Sequence, residues 1–270
     1  MQPTYIPKLN GVVLPGDEFP KLASFTAPTL PFAESLVALH SFGLSQDSCR
    51  VNYIDGHPAL SQVGSPTVDP LGVRLNRANH FVSDFVPTAA YSVVLIAKPL
   101  KVPSGSQNYG FLMGNYMDAG AGVFSGDNLL FADIGAGPSF MNFIQATAAG
   151  AMATRGSINI SALDETKWHA FFSVLGPGGA GALERSNVAV GRGGALTWGT
   201  DATGAHTPTQ PVPMHVGGFN VWPGTAIGST QTVTEQMVAI YNRRLSTAEC
   251  EQIYQYLHQI WGPSAGFDGL

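Results

Sequence analysis

Carboxylate and amide side chains lie close together in a glycine-rich stretch near the middle of the chain, where oxygen ligands for a metal could gather. Asp118, Asp127, Asn128 and Asp133 lie there among glycines. Ca²⁺ prefers carboxylate and carbonyl oxygens presented by loops, so structural calcium held by Asp118, Asp127 and Asp133 is one interpretation. These residues match no recognised calcium loop, and Asp and Asn are also the ordinary residues of turns. Turn structure is the favoured interpretation, and calcium is the one cofactor that the residues suggest.

Aromatic rings in turn-like contexts offer a second kind of chemistry, because the C–H faces of pyranose sugars stack on indole and phenol rings. Trp198 and Trp222 occur in the contexts LTWGTD and NVWPGT, and Tyr109 and Tyr116 are further candidates. These four residues are the predicted glycan-binding residues. Aromatic residues are also enriched at protein interfaces, so packing against a subunit or against an N-terminal arm of residues 1–35 explains the two tryptophans equally well.

The sequence lacks the signatures of common enzymes. Its one G-x-G-x-x-G match, residues 176–181, contains Pro177 and precedes no long amphipathic helix, which favours a loop over a nucleotide site. No G-K-[ST] or G-x-S-x-G motif occurs. Asp164 and Glu165 are adjacent and would face opposite ways on a strand, unlike the paired carboxylates of a glycosidase. The sequence therefore predicts that the protein is not an enzyme.

The thiols and imidazoles show no metal-binding or disulfide pattern. Cys49 and Cys250 are too few for a disulfide framework and are predicted to be buried thiols. The histidines are dispersed, without H-x-H or H-E-x-x-H spacing. His169 and His215 fall within strand-like runs, so we expect them to make hydrogen bonds in the core or on a sheet face.

Short apolar runs separated by Gly, Asn, Asp and Pro predict about a dozen strands in two stacked antiparallel sheets. Residues 81–86 and 91–98 are predicted to pair as a hairpin through the turn at residues 87–90. The other predicted strands are residues 36–42, 109–115, 122–124, 129–134, 139–145, 167–175, 187–191, 195–198, 213–219 and 236–241.

One amphipathic helix is predicted near the end of the chain, directly after the last strand. Ser246 precedes Glu249 by three residues, the spacing of a capping box. Apolar residues then recur at helical spacing, and Gly262 and Pro263 are predicted to end the helix. The residues of this apolar face are Cys250, Ile253, Tyr254, Leu257, Ile260 and Trp261.

The segment YNRRLSTAE followed by IYQYL resembles the C-terminal signature of laminin-G-like, concanavalin A-like jelly-roll domains. LVALHSF, YSVVLIAK, KWH and HVGG resemble further family strands and occur in the family's order, so the resemblance covers residues 36–262. It implies an all-β, two-sheet antiparallel jelly-roll sandwich with one short C-terminal helix. We therefore predict a sandwich domain over residues 36–270.

Residues 1–35 form a separate unit rich in proline, which forbids a regular helix or a central strand. Apolar residues nevertheless recur along it, among them Tyr5, Ile6, Leu9, Phe19 and Phe25. An extended assembly arm that packs against its own domain or a neighbouring subunit fits both facts.

The charge pattern excludes several classes of partner. Charged residues make up 11% of the chain, against a usual figure of about 25%, which indicates a surface partly covered by partners. The net charge of −5 comes without a basic stripe, so no nucleic acid is expected. No apolar run reaches membrane-spanning length, and the start of the chain lacks a secretion signal, so we expect synthesis in a cytoplasm and no membrane partner.

These features resemble phage particle proteins that carry this domain, such as tail-fibre, baseplate and head-decoration proteins. The predicted function is a non-catalytic structural or binding component of the virion, made in the host cytoplasm. Its expected partners are other virion proteins or copies of itself through the arm, and a host-surface glycan. The alternative is a lectin or a carbohydrate-active enzyme on the same fold.

Overall fold

The structure, a computed structural model, describes residues 29–103, 109–115, 117–118, 124–133, 135, 137–145, 152–176, 185–203, 212–219, 231–265, 267 and 270. It is built mostly of short antiparallel strands. In chain order these are β1 (Leu36–Ser41), β2 (Ser61–Val63), β3 (Thr67–Asp69), β4 (Gly72–Leu75), β5 (His80–Val82), β6 (Tyr91–Lys98), β7 (Gly110–Gly114), β8 (Met117–Asp118), β9 (Phe124–Ser125), β10 (Asp127–Asp133), β11 (Pro138–Gln145), β12 (Met152–Asn159), β13 (His169–Leu175), β14 (Arg185–Arg192), β15 (Ala195–Trp198), β16 (Thr200–Thr203), β17 (His215–Val216) and β18 (Val233–Tyr241).

Apart from β8 and β9, which pair with each other as a separate two-stranded sheet, the strands form two antiparallel sheets, which confirms the predicted fold class. Sheet A runs β3-β4-β18-β6-β13-β14-β15, with β1 beside β18. Sheet B runs β2-β5-β17-β7-β10-β11-β12-β16. Strand β16 pairs with both β12 and β14, so the two sheets are joined along one edge.

The main core lies between the sheets and is dominated by aromatic and β-branched side chains. Phe171 of sheet A packs 5.3 Å from Phe131 and 5.0 Å from Phe140 of sheet B, measured between ring centroids. The period of two along each strand places these residues inward. Residues at the alternate positions form two further apolar clusters, one on the outer face of each sheet.

The predicted C-terminal helix is present and covers the outer face of sheet A. This predicted helix is α2 (Thr247–Tyr256). A shorter helix earlier in the chain, α1 (Gln46–Arg50), was not predicted from the sequence. The capping box is confirmed, because Glu249 N donates to Ser246 Oγ (3.2 Å) and Ser246 N donates to Glu249 Oε2 (2.8 Å). Helix α2 packs on sheet A through Cys250, Ile253 and Tyr254.

The predicted end of this helix is wrong. A π-helical turn (Leu257–Trp261) continues α2 and leads into α3 (Gly262–Ala265). Pro263 lies in α3, where it cannot donate the backbone hydrogen bond of an ordinary helical residue, yet the helical run continues through it. A π-turn contains one extra residue, which shifts the residues that follow around the helix axis. As a result Trp261 is buried, whereas Ile260, which was predicted to lie on the apolar face, is 61% exposed.

The predicted hairpin between residues 81–86 and 91–98 is also wrong. Strand β5 pairs with β2 and β17 in sheet B, whereas β6 pairs with β13 and β18 in sheet A. The chain after β5 stays beside the β17 segment, because Ser83 N donates to Met214 O and Met214 N donates to Phe85 O. The connection therefore crosses from one sheet to the other.

Both cysteines are buried free thiols, as predicted. Cys49 lies in the core between the sheets, and Cys250 lies on the face of α2 that packs on sheet A. Burial raises the pKa of the Cys250 thiol to about 12, so the thiol stays protonated and acts as a small apolar side chain.

Candidate functional site

The carboxylates predicted as calcium ligands are separated in the structure. Asp118 lies on β8, and its side chain is outside the described part of the chain. Asp127 and Asp133 stand at opposite ends of β10, about 20 Å apart at the rise of an extended strand. These two carboxylates therefore do not form one site.

Each of these two carboxylates has protein donors. The hydroxyl of Tyr91 donates to Asp127 Oδ2 across the sandwich interior at 2.9 Å. Burial raises the pKa of Tyr91 well above its usual value, so the phenol keeps the proton that it donates. Gly135 N and Gly137 N donate to Asp133 Oδ1 at 2.8 and 3.2 Å, which is the behaviour of an Asp that shapes a turn.

One acidic residue that the sequence analysis did not identify, Glu235 on β18, is fully buried. It lies opposite Ala97 of β6 and Val73 of β4, and both of these residues belong to the core between the sheets. Directly opposed residues share a sheet face, so the carboxyl group points into that core. Among the residues that the structure describes, neither of its oxygens has a hydrogen-bond partner. Since the group is sealed from solvent, we assign it no role in catalysis.

The residues predicted to bind glycan do not come together either. Trp198 lies on β15 and packs, half-buried, against the apolar layer between sheet A and α2. Tyr109 lies just before β7 and packs on the outer face of sheet B. Tyr116 and Trp222 lie outside the described residues. The two residues that can be placed are therefore on opposite faces of the sandwich.

Three aromatic rings form a row on the outer face of sheet B, which we call the aromatic row: Tyr109, Phe111 and Phe219. The centroid of Phe111 is 6.1 Å from that of Tyr109, edge to face, and 4.4 Å from that of Phe219. Phe111 and Phe219 are buried, whereas Tyr109 at one end is half-buried. Leu130, Ala132 and Met141 pack beside the row and complete its apolar support.

The exposed guanidinium of Arg77 lies over the other end of the aromatic row. Its Cζ is 5.4 Å from the centroid of the Phe219 ring, the geometry of a cation–π contact. Arg77 belongs to the tight turn between β4 and β5, where Asn76 N donates to Asn79 O and Asn79 N donates to Asn76 O. The side chain of Asn76 also accepts from Ala78 N at 3.0 Å. These bonds fix the backbone that presents Arg77.

Two buried histidines lie beside this end of the row. Nε2 of His80 and Nδ1 of His215 are 2.9 Å apart, and Nδ1 of His80 is 3.0 Å from the carbonyl oxygen of Arg77. A carbonyl can only accept, so Nδ1 of His80 carries a proton and donates to Arg77 O. Burial lowers the pKa of His80 and lowers that of His215 to about 4, so both rings are neutral near pH 7. Nε2 of His80 then accepts from Nδ1–H of His215.

Gly218, which follows β17, leaves room for the ring of His80 because it has no side chain. A β-carbon there would lie 2.8 Å from Cγ of His80, closer than real β-carbons come to other atoms. The prediction that His215 makes hydrogen bonds on a sheet face is confirmed. Its partner could not have been identified, because 135 positions separate the two histidines in the chain. The same prediction is wrong for His169, whose ring nitrogens are buried without a hydrogen-bond partner among the described residues.

No helix in the described part of the chain is long and apolar enough to cross a membrane. Likewise, the described residues contain no group of three or more His, Cys, Asp or Glu side chains that could hold a metal ion.

Comparison with known proteins identifies the fold. No protein-family model matches the chain, and no curated protein sequence matches it. Among solved structures, the binding domain of botulinum neurotoxin serotype D matches with a TM-score of 0.56 at 13% identity, over 83% of this chain and 52% of that one. Trypanosoma rangeli sialidase in complex with sialic acid matches with a TM-score of 0.54 at 18% identity, over 88% of this chain and 37% of that one.

A third match is the binding domain of botulinum neurotoxin DC in complex with SialylT, with a TM-score of 0.53 at 9% identity, over 84% of this chain and 52% of that one. The chain thus spans about half of the neurotoxin domains and little more than a third of the sialidase. At these identities the likeness establishes the fold alone. This chain has the two-sheet β-sandwich fold found in parts of those proteins.

Proposed function

We propose that this chain is a non-catalytic binding module that recognises carbohydrate through the outer face of sheet B and serves as a component of a phage particle. The observation that carries the proposal is the aromatic row of Tyr109, Phe111 and Phe219, with Arg77 over its end. Phe111 and Phe219 are buried under this face, so the half-buried ring of Tyr109 and the exposed Arg77 are the groups that a sugar would contact.

The fold supports carbohydrate as the ligand class. A sialidase solved with sialic acid and a neurotoxin binding domain solved with SialylT contain the same kind of sandwich. The sialidase match also favours the alternative, a carbohydrate-active enzyme. Against catalysis, Asp127, Asp133 and Glu249 are occupied by protein donors, and Glu235 is sealed in the core. Most glycosidases place two carboxyl groups on either side of the bond that they cleave, although sialidases, which use a tyrosine nucleophile, are an exception.

The virion role is supported by how the arm joins the sandwich. The phenol oxygen of Tyr256 on α2 accepts from Thr29 N at 3.2 Å, and the hydroxyl of Tyr241 donates to Pro31 O at 3.1 Å. Leu30 is buried in the same layer. The arm therefore joins the helix-covered side of the molecule, opposite the aromatic row. Attachment on one side and recognition on the other is the arrangement that a particle-bound receptor-binding protein needs.

The test is a glycan array followed by titration calorimetry with the full chain. We expect Tyr109→Ala to weaken glycan binding roughly two- to tenfold, the effect of losing one stacking ring. Tyr53→Ala, a matched change of a tyrosine that is 39% exposed, should leave binding unchanged. Trp198→Ala and Trp222→Ala, at the residues predicted from sequence, test the competing location.

Three results would overturn the proposal in different ways. If no glycan binds, the carbohydrate function is wrong. If the Trp198 variant alone loses binding, the ligand binds on the side of sheet A. Release of a reducing sugar from a bound glycan would establish an enzyme in place of a binding module.

A further inference from the structure

We infer that the ligand of the outer face of sheet B is an acidic saccharide, with Arg77 as the anchor for its carboxylate or sulfate group. This inference rests on the proposed function and names its ligand class.

Arg77 differs from the other arginines whose side chains the structure describes. Each of those donates to a protein acceptor: Arg50 to Leu60 O, Arg74 to Asp69, Arg192 to Asn159 O, Arg243 to Glu249 and Arg244 to Gly176 O. Within the described residues, the side chain of Arg77 contacts the Phe219 ring. This contact involves the face of the guanidinium and none of its N–H groups. The five donors of Arg77 are therefore available to a ligand.

The position of Arg77 is fixed before any ligand arrives. Its turn is closed by hydrogen bonds between Asn76 and Asn79, and its carbonyl oxygen accepts from His80, which is bonded in turn to His215. Stacking on Phe219 restrains the guanidinium as well. A guanidinium fork that is already oriented loses less entropy when it binds, and its planar geometry matches a carboxylate or sulfate bidentately.

The surroundings favour an anion on a sugar over a free inorganic anion. Phe111 and Phe219 are buried between Arg77 and the half-buried ring of Tyr109, so a sugar whose anionic group lies at Arg77 would have Tyr109 as its aromatic contact. The histidines nearby are neutral near pH 7, so Arg77 supplies the positive charge of this end of the row. On a chain of net charge −5, an unpaired arginine in this setting selects for an acidic ligand.

The experiment compares acidic and neutral forms of the same sugars by titration calorimetry with the full chain. The probes are sialyllactose and lactose, tri-galacturonate and its methyl ester, and sulfated lactose. We expect the acidic member of each pair to bind at least about tenfold more tightly, the size of a charge-assisted hydrogen bond. The sulfated probe distinguishes a site for any anion from one that requires a carboxylate.

Arg77→Gln and Arg74→Gln each remove one positive charge, so comparing them separates a specific contact of Arg77 with the ligand from general electrostatic attraction. Arg77→Gln should abolish the preference for acidic sugars, and Arg77→Lys should keep part of it, because lysine supplies the charge without the fork. Arg74→Gln removes the same charge three residues earlier, where it pairs with Asp69 at 3.0 Å, and should change binding less than twofold. Both arginines are exposed, so neither change disturbs the core.

The outcomes separate this inference from the proposed function. Equal binding of acidic and neutral sugars, still weakened by Tyr109→Ala, would overturn the inference and leave the function intact. Equal losses in the Arg74 and Arg77 variants would also overturn it, because the effect would then be general attraction. If no probe or array glycan binds, the inference and the proposed function are both wrong.

Discussion

At the scale of single residues, Glu235 is the side chain whose ionisation should most affect stability. It is fully buried in the core between the sheets, and neither carboxyl oxygen has a hydrogen-bond partner in the described residues. Burial without compensation raises the pKa of this carboxyl well above its ordinary value. The fold therefore accommodates the neutral acid and opposes its ionisation.

We expect the stability of the protein to decrease as the pH rises above about 4.5, the ordinary pKa of glutamate. Above that value the unfolded chain releases the Glu235 proton and the folded chain keeps it. Each pH unit then costs about 1.4 kcal/mol, until the folded-state pKa is reached. Glu235→Gln should remove this slope and raise the free energy of unfolding at pH 7, as measured by urea denaturation from pH 4 to 8.

Glu34→Gln is the matched control for that measurement, because the Glu34 side chain is 73% exposed and lies 3.9 Å from Arg243. It should keep the wild-type slope. Identical pH profiles for wild type and Glu235→Gln would show that the carboxyl finds a partner in the folded protein.

At the scale of elements, the start of α2 is held by a cluster of charge-assisted hydrogen bonds. Two nitrogens of Arg243 donate to the carboxylate of Glu249 at 2.8 and 3.1 Å, and this carboxylate also closes the capping box with Ser246. The hydrogen bonds from Arg243 are the largest cause that lowers the pKa of Glu249 to about 2. Because α2 covers sheet A, this cluster supports more than the helix itself.

We expect this cluster to stabilise the protein above about pH 4.5 and to lose its effect as the pH falls towards 2, because the folded-state pKa is the lower one. Glu249→Gln keeps a side chain that can complete the capping box and removes the charge. Since the pair is partly exposed, the variant should lose about 1 kcal/mol at pH 7. The stability of this variant should also decrease less than that of the wild type as the pH falls from 7 to 2, as measured by thermal unfolding.

Asp47→Asn, in the first turn of α1, is the control for a general loss of negative charge near a helix start. If this variant and Glu249→Gln lose the same stability at pH 7, the contact with Arg243 contributes nothing beyond the effect of the helix dipole.

At the scale of the whole molecule, the two sides of the sandwich differ in what covers them. Helix α2, the π-helical turn that follows it and the segment that begins at Thr29 cover sheet A, and the aromatic row lies on the outer face of sheet B. Residues 29–35, which the sequence assigns to the arm, contact the sandwich through Leu30, Pro31 and Ser35. An arm deletion should therefore remove residues 1–28 and keep the residues from Thr29 onward.

We expect a chain that starts at Thr29 to fold and to bind glycan like the full chain, because the contacts of Leu30 and Pro31 remain. Its mass in solution should be that of a monomer, whereas the full chain should form a multiple of 28.4 kDa or attach to particles. Light scattering coupled to size exclusion measures this difference. If the truncated chain assembles or attaches like the full chain, residues 1–28 are not an assembly arm.

The sequence by itself determined the features that depend on near neighbours in the chain. Strands β6 and β15 have the predicted bounds, because an alternating or continuous apolar run ended by turn residues is a local signal. The capping box of Ser246 and Glu249 is equally local. The two-sheet fold class followed from the number and shortness of such runs, together with the ordered family resemblance.

Only the tertiary structure decided how distant segments meet. The strand period of two fixes the face of a residue but not its partner strand, so β5 and β6 were paired wrongly. Arg77, Phe111 and Phe219 come from three separate segments, and no spacing in the sequence could bring them together. Glu235 directly precedes the predicted strand of residues 236–241, yet the pairing of β18 with β4 and β6 seals it inside. Burial depends on everything packed around a side chain, and that packing exists only once the sheets have formed.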